Sequence, residues 1–185
     1  MECSTASAID YKLGRRLCRL AVCGLGIHPD AFSNGQFACT LDVALQVHVM
    51  HVRTSAIFKR IVQRHGWPLA NTVGHAGATA AWLLAMHSHN DLPFMLECRN
   101  AIAAAAMDQQ GQSWHLAYME DRLSMVCGEP QRYGTHVRLN EFGQWELAPL
   151  LDASRVDLWR RMLGLPSLPL AAFRIAGQEE PDRLH

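Results

Sequence analysis

Helix-starting and helix-ending residues divide this chain into segments whose apolar residues recur at helical spacing. Such a pattern is typical of amphipathic helices that pack around a common core. We therefore predict a mainly α fold, a single-domain helical bundle of five to seven helices. The predicted helices cover Ser4 to Val22, Leu41 to His65, Thr72 to His89, Asp91 to about Gly111, Ser113 to Val126 and Asp152 to Leu163.

The segment ends carry the residues that favour helix termini. Gly66, followed by Pro68, is expected to end the second helix, because glycine tolerates the left-handed conformation common just after a helix. Thr72, Asp91 and Asp152 are predicted N-caps, since their side-chain oxygens can accept a hydrogen bond from a first-turn amide.

The apolar period changes between residues 132 and 147, where the pattern favours a short β-hairpin with its turn at residues 140–143. We predict three regions: an N-terminal helix and loop extension over residues 1–39, a helical core domain over residues 40–176, and a frayed tail over residues 177–185.

Charge and cysteine content narrow the classes of function. Seventeen basic residues balance seventeen acidic ones, whereas general nucleic-acid binders carry a basic surplus. Membrane spans need about 18 consecutive apolar residues, and no segment approaches that length. The six cysteines form no C-x-x-C pair and follow no recognisable secretory signal. We expect a cytoplasmic protein with reduced thiols that binds neither nucleic acid nor membrane, with self-association through the first helix as a further expectation.

Several well-known catalytic motifs are missing from the sequence. It contains no P-loop, no G-x-G-x-x-G after a strand, no H-E-x-x-H and no G-x-S-x-G. Any activity must therefore come from a less familiar site.

His87 is the first candidate for such a site. On a helical wheel it lies among the residues expected to face inward, which are Val73, Ala76, Ala80, Leu83 and Leu84. The opposite side is expected to hold His75, Thr79, Trp82, Met86 and His89. A desolvated imidazole stays neutral and suits a general base, but a core histidine satisfied by one hydrogen bond gives the same pattern.

The ten histidines also raise a metal alternative. His87 and His89 could ligate zinc or a transition metal together if the helix ends before Ser88, since otherwise their rings point apart. His48 and His51 share a helix face and could chelate as a pair. In each case a solvent-facing or core histidine is the competing interpretation.

Two further segments carry polar groups that could work together. In the fifth helix, Asp121 follows Tyr118 by one turn, with Arg122 beside it. An Asp–Arg neighbour pair is either a weak surface ion pair or, if buried and fully bonded, part of an organised site. The following loop offers Gln131, Tyr133, Thr135 and His136 as substrate-binding groups, or forms only a capped connection to the hairpin.

Together these segments resemble a bacterial domain family of unknown function. The similarity covers about residues 50–170 and rests on motifs that match only in combination. They are GWP at residues 66–68, VG at 73–74, AAWLL at 80–84, His87, Asp91, AY-x-x-DR at 117–122, G-x-PQ-x-YGT at 128–135, Arg160–Arg161 and Gly164–Leu165.

The resemblance implies a shared fold and that His87, Asp121, Arg122, Gln131 and Tyr133 belong together, but it supplies no known reaction. The chain departs from the family pattern twice. The family has QHAD where residues 86–89 read MHSH, and glutamine where this chain has His136.

Three functions fit this pattern. The first is an enzyme that modifies a small polar molecule, with His87 as general base, Asp121 as its orienting carboxylate, and Arg122, Gln131, Tyr133, Thr135 and His136 holding the ligand. The second is a non-catalytic, regulatory or immunity-type protein-binding module. The third is a metal-dependent enzyme with His87 and His89 as ligands.

Overall fold

The computed structural model of the protein describes residues 9–24, 41–109 and 111–169, with the side chains of residues 41–44 left aside. In this part of the chain there are six α-helices and a two-stranded antiparallel hairpin, so the predicted mainly α fold with one hairpin is confirmed. The chain forms two compact units, Met1–Gln112 and Ser113–His185, which are described separately.

Four helices lie in the first unit: α1 (Tyr11–Gly24), α2 (Leu41–His65), α3 (Ala70–Met86) and α4 (Leu92–Met107). The bounds of α2 are the predicted ones. The core includes the fully buried Phe58 of α2, whose ring centroid lies 5.7 Å from that of Phe94 in α4 and 6.1 Å from that of Trp67. Asp91 caps α4 as predicted, since its Oδ1 accepts a hydrogen bond from the Phe94 amide at 3.1 Å.

Helix α1 packs directly on α3 because small residues allow the two backbones to approach closely. A Cβ on Gly14 would overlap the carbonyl oxygen of Val73, and one on Gly77 would lie 2.9 Å from the Cα of Gly14. Asp10 precedes α1 and caps it, accepting hydrogen bonds from the amides of Lys12 and Leu13. The apolar face of α1 is thus buried within the first unit.

The second unit consists of α5 (Ser113–Val126), β1 (Val137–Leu139), β2 (Trp145–Leu147) and α6 (Val156–Met162). The bounds of α5 match the prediction. The strands pair with Arg138 opposite Glu146, and the Asn140 side chain closes the turn by accepting hydrogen bonds from the amides of Phe142 and Gln144. The hairpin and its turn were therefore correctly predicted, although the strands are shorter than residues 132–147.

The predicted starts of α3 and α6 were wrong by one turn or less. Helix α3 begins at Ala70, and Thr72 lies inside its first turn, where its hydroxyl oxygen accepts a hydrogen bond from the Leu69 amide. Helix α6 begins at Val156, because Asp152 caps the preceding turn through the amide and hydroxyl of Ser154. Thr72 and Asp152 each bond to a nearby backbone amide, as an N-cap does, although the N-caps are Leu69 and Arg155. The sequence pattern therefore put the predicted cap three residues away from the observed one.

The predicted inward face of α3 was also partly wrong. Ala76 is exposed, while Trp82 and Met86, expected on the opposite side, are buried. These three residues follow Gly74, whose φ of 77° and ψ of 162° interrupt the helix, so the kink does not account for the difference. Residues on several sides of α3 are buried, whereas a helical wheel assumes one buried face.

The first helix was predicted to include Ile9 and Asp10, but α1 begins at Tyr11, after its cap Asp10. The residues before Ile9, the loop after the first helix, and the domain limits at residues 39 and 176 lie wholly or partly outside the described residues. Among the described helices, none is both long and apolar enough to cross a bilayer.

Candidate functional site

Asp121 in α5 organises the loop that joins α5 to the hairpin. Its carboxylate is completely buried and accepts five hydrogen bonds: Oδ1 from the amides of Arg132 and Tyr133, and Oδ2 from the amides of Tyr133 and Thr135 and from the Thr135 hydroxyl. The distances range from 2.7 Å for the Arg132 amide to 3.2 Å for the second bond to Tyr133. One side chain thus holds the backbone at three positions between residues 132 and 135.

The hydrogen-bond donors around Asp121 favour its ionised form. Burial raises the pKa of Asp121 above its ordinary value, while the hydrogen bonds from Tyr133, Thr135 and Arg132 act against that shift. A proton on Oδ1 would face the amides of Arg132 and Tyr133, which are themselves donors. A proton on Oδ2 could be accepted by the Thr135 hydroxyl oxygen, but Oδ2 would then be a poor acceptor for the Thr135 amide. We therefore assign the carboxylate form, held by charge-assisted hydrogen bonds.

Gln131 holds the other side of the same loop. Its amide nitrogen donates to the carbonyls of His136 and Ala148, both at 2.9 Å, and its amide oxygen accepts from the His136 amide. Gln131 is completely buried. Between Gln131 and Thr135 the chain turns at Gly134, whose φ of +64° favours glycine. The loop backbone is thus held from both ends.

Tyr133 is anchored in the core of the second unit, against Ala117 and Trp159. Its hydroxyl donates to Oε2 of Glu120 at 3.1 Å, and burial, followed by the charge of Glu120, raises the pKa of Tyr133 to about 12. The carbonyl of Tyr133 accepts a hydrogen bond of 2.7 Å from the buried guanidinium of Arg160. Tyr133 therefore stays protonated. Its hydroxyl and its carbonyl both hold the loop, through Glu120 and Arg160.

His136 is held in one orientation by this loop. Its Nδ1 lies 2.8 Å from Oγ1 of Thr135, and Oγ1 lies 2.9 Å from Oδ2 of Asp121. The hydroxyl has one proton, and the ionised carboxylate is the stronger acceptor, so the proton points to Asp121. Nδ1 of His136 must then be the donor, which leaves Nε2 as the basic nitrogen of the ring.

The surroundings of His136 keep the ring neutral. Burial, followed by the positive charge of Arg122, lowers the pKa of His136 to about 4. Burial also lowers the pKa of Arg122, although a guanidinium remains charged. Both side chains are half-buried, and the ring of Tyr118 lies 6.1 Å from that of His136. The second unit thus combines an oriented neutral base with a neighbouring cation.

A second group of polar side chains, which we call the histidine cluster, lies in the first unit and consists of His51, His87 and His89. The ring centroids of His87 and His89 lie 5.2 Å and 5.6 Å from that of His51. One ring nitrogen of each residue is shielded from solvent. Joint metal ligation by His87 and His89 was predicted on the condition that the helix ends before Ser88. This condition is met, because α3 ends at Met86 and His87 is its C-cap.

The histidine cluster does not establish a metal centre. In residues 9–24, 41–109 and 111–169, no group of three or more His, Cys, Asp or Glu side chains is placed to hold a metal ion. Of the predicted chelating pair, His48 is exposed and His51 is half-buried. Metal binding by His87 and His89 stays a prediction.

The predicted site residues therefore fall into two groups. Asp121, Arg122, Gln131, Tyr133, Thr135 and His136 are all in the second unit, whereas His87 is in the first. Pairing of His87 with Asp121 and substrate contacts by Gln131 and Tyr133 stay predictions. In the described structure, Asp121 bonds the loop, and Gln131 and Tyr133 bond their own chain.

Two contacts in these groups were not predicted from the sequence. The sequence pattern placed His51 with His48 and not with His87, because contacts between α2 and α3 leave no local periodic signal. It also treated Thr135 as a ligand-binding group, whereas its hydroxyl connects Asp121 to His136. For the link through Thr135, the available signal was that Thr135 and His136 are adjacent in a loop rich in hydrogen-bonding groups.

Comparison with known proteins gives one match. A family model described as "Family of unknown function (DUF6624)" matches residues 30–175, which is more than half of the chain. No curated protein matches, and no solved structure matches.

Proposed function

We propose that this chain, which belongs to the family of unknown function DUF6624, is an enzyme that modifies a small polar substrate by acid–base chemistry. Its base in this proposal is His136. The observation that carries the proposal is the hydrogen-bonded series Asp121–Thr135–His136. A carboxylate that orients an imidazole, here through a hydroxyl, is the arrangement by which enzymes prepare a general base.

His136 is better supported as the base than His87, the residue that the sequence suggested. The ring of His136 is neutral at pH 7, as a base must be before it accepts a proton, although the lowered pKa also makes it a weaker base than a free imidazole. Its tautomer is also set by a defined partner, Thr135. His87 remains a candidate for a different role through the histidine cluster.

Arg122 suggests the substrate class. A half-buried guanidinium near the base favours an anionic group, and its planar donors match a carboxylate in bidentate fashion. We propose a small carboxylate whose reacting proton lies close to Nε2 of His136. Arg122 would bind the carboxylate, and the transferred proton would pass to Nε2 while Nδ1 keeps its hydrogen bond to Thr135.

Replacing Arg122 by glutamine should weaken carboxylate binding by about tenfold to a hundredfold, since a hydrogen bond to a charged group contributes about 1.5–3 kcal/mol. We would titrate the protein with acetate, pyruvate, glyoxylate and succinate and follow the Trp114 and Tyr118 region by NMR. Arg161→Gln, an exposed arginine of α6, is the matched control and should bind like the wild type.

Two outcomes would contradict this assignment. If none of the four carboxylates binds below about 10 mM, the substrate class is wrong. If a carboxylate binds and Arg122→Gln retains the affinity of Arg161→Gln, Arg122 does not hold the anion.

A further inference from the structure

We infer that the exposed basic face of α1 is a docking surface for an acidic segment of a partner protein. This face, the α1 basic face, consists of Lys12, Arg15, Arg16 and Arg19. All four side chains are exposed, and they line a surface concavity of about 290 Å³. The inference is independent of the catalytic proposal, since it uses none of the residues assigned to the base or its ligand.

The spacing of the four cations aligns them on one side of the helix. Positions i, i+3, i+4 and i+7 fall within about 100° of the helix circumference, and Lys12 and Arg19 are about 10.5 Å apart along the axis at 1.5 Å per residue. Residues 9–24 contain one acidic residue, Asp10, whose Oδ1 is engaged by the amides that it caps. The face therefore has a concentrated positive charge.

No acidic side chain neutralises this charge within the described residues. Ion pairs in that part of the chain, such as Lys59 with Asp91 and Arg138 with Glu146, lie outside α1. The whole chain has as many acidic as basic residues. Four cations on two turns are thus a local excess on a chain that is neutral overall.

That neutrality favours a short acidic segment over nucleic acid. A long polyanion would meet the acidic remainder of the surface as well as the α1 basic face, whereas a peptide of a few residues meets only the face. Arginine, three of the four residues, pairs with carboxylates through two parallel hydrogen bonds. Carboxylates one turn apart on a partner helix have the same spacing as these cations.

A membrane surface fits the helix less well than an acidic protein segment does. Amphipathic helices bind bilayers by burying their apolar face among the lipids, with cations on the other face. In α1 the apolar face is already buried, with Leu17 at 0% and Ala21 at 5% exposure. The large hydrophobic side chains that α1 exposes are Tyr11 at 62% and Val22 at 66%, which lie near opposite ends of the helix and form no continuous apolar face. The exposed surface of α1 is therefore dominated by the four cations, which suit a soluble acidic partner.

The test uses the full chain and a fluorescein-labelled peptide of ten glutamates, with binding followed by fluorescence anisotropy at several salt concentrations. The wild type should bind, with an affinity that falls as salt rises. Arg15→Glu, Arg16→Glu and Arg19→Glu together should weaken binding by at least about tenfold, because three attractive pairs become repulsive. Circular dichroism checks that the variant is folded.

Arg53→Glu, Arg60→Glu and Arg64→Glu, which reverse three exposed arginines of α2, form the charge-matched control and should bind nearly like the wild type. If the α1 reversal unfolds the protein, Arg15→Gln, Arg16→Gln and Arg19→Gln replace it, since glutamine keeps helix propensity. With these glutamines we still expect weaker binding than in the α2 control.

Four results would overturn the inference. They are absence of peptide binding at low salt, equal weakening in the α1 and α2 variants, and tighter binding to duplex DNA or to phosphatidylserine vesicles than to the peptide. The fourth is a wild-type dimer, seen by light scattering, that the α1 variant dissociates, because the face would then bind a second copy of this chain.

Discussion

Replacing Asp121 by asparagine is expected to lower the free energy of unfolding by about 3–5 kcal/mol, since each buried donor left unsatisfied costs about 1–3 kcal/mol. An asparagine side chain has one carbonyl oxygen and one NH2 group. The NH2 group is a donor and would face a backbone amide that Oδ1 or Oδ2 accepts from in the wild type. No rotamer of asparagine satisfies the amides of Arg132, Tyr133 and Thr135 together.

Urea unfolding at pH 7, followed by tryptophan fluorescence, measures this change. Asp108→Asn, at an exposed position after α4, is the matched control and should alter the free energy of unfolding by less than about 0.5 kcal/mol. A loss below about 1 kcal/mol in Asp121→Asn would show that Asp121 does not hold the loop as described.

Replacing His136 by glutamine should reduce turnover by about 10²- to 10⁴-fold, the usual contribution of a general base. The amide of glutamine can still donate to Thr135. We therefore expect the fold and carboxylate binding to survive while proton transfer is lost. The measurement is the exchange of the α-proton of a bound carboxylate with deuterium oxide, followed by NMR.

The pH dependence separates loss of the base from general damage. Because the pKa of His136 is lowered to about 4, the neutral, active ring predominates above that pH, and the wild-type rate should fall as pH drops through about 4. His136→Gln should lack this decline. His65→Gln, at an exposed position, should behave like the wild type. A rate in His136→Gln within threefold of wild type would exclude His136 as the base.

Much of the secondary structure could be predicted because its signals are local. The bounds of α2 and α5, the capping of α4 by Asp91 and the turn of the hairpin each depend on residues a few positions apart. The start of α3 was misplaced because Thr72 bonds locally to the Leu69 amide. Its buried face was misplaced because tertiary burial overrides a single amphipathic pattern.

The residues of the candidate site could be predicted, but the connection of Asp121 to His136 could not. The sequence identified both residues as chemically useful without joining them to each other, and the pairing of Asp121 with His87 stays a prediction. Their connection through Thr135 spans 14 residues between Asp121 and the hydroxyl. No periodic pattern encodes a contact at that separation, so the chemistry of the residues was visible and their pairing was not.

The tautomer of His136 tests the central claim most directly, and ¹⁵N NMR of histidine-labelled protein measures it. His136→Gln identifies the His136 signals, and Thr135→Val removes the hydroxyl with little change of shape. We predict a neutral ring protonated at Nδ1 with a pKa of about 4 in the wild type, and loss of the Nδ1 preference in Thr135→Val. A wild-type ring protonated at Nε2, or a pKa near the ordinary value of about 6.5, would contradict the account.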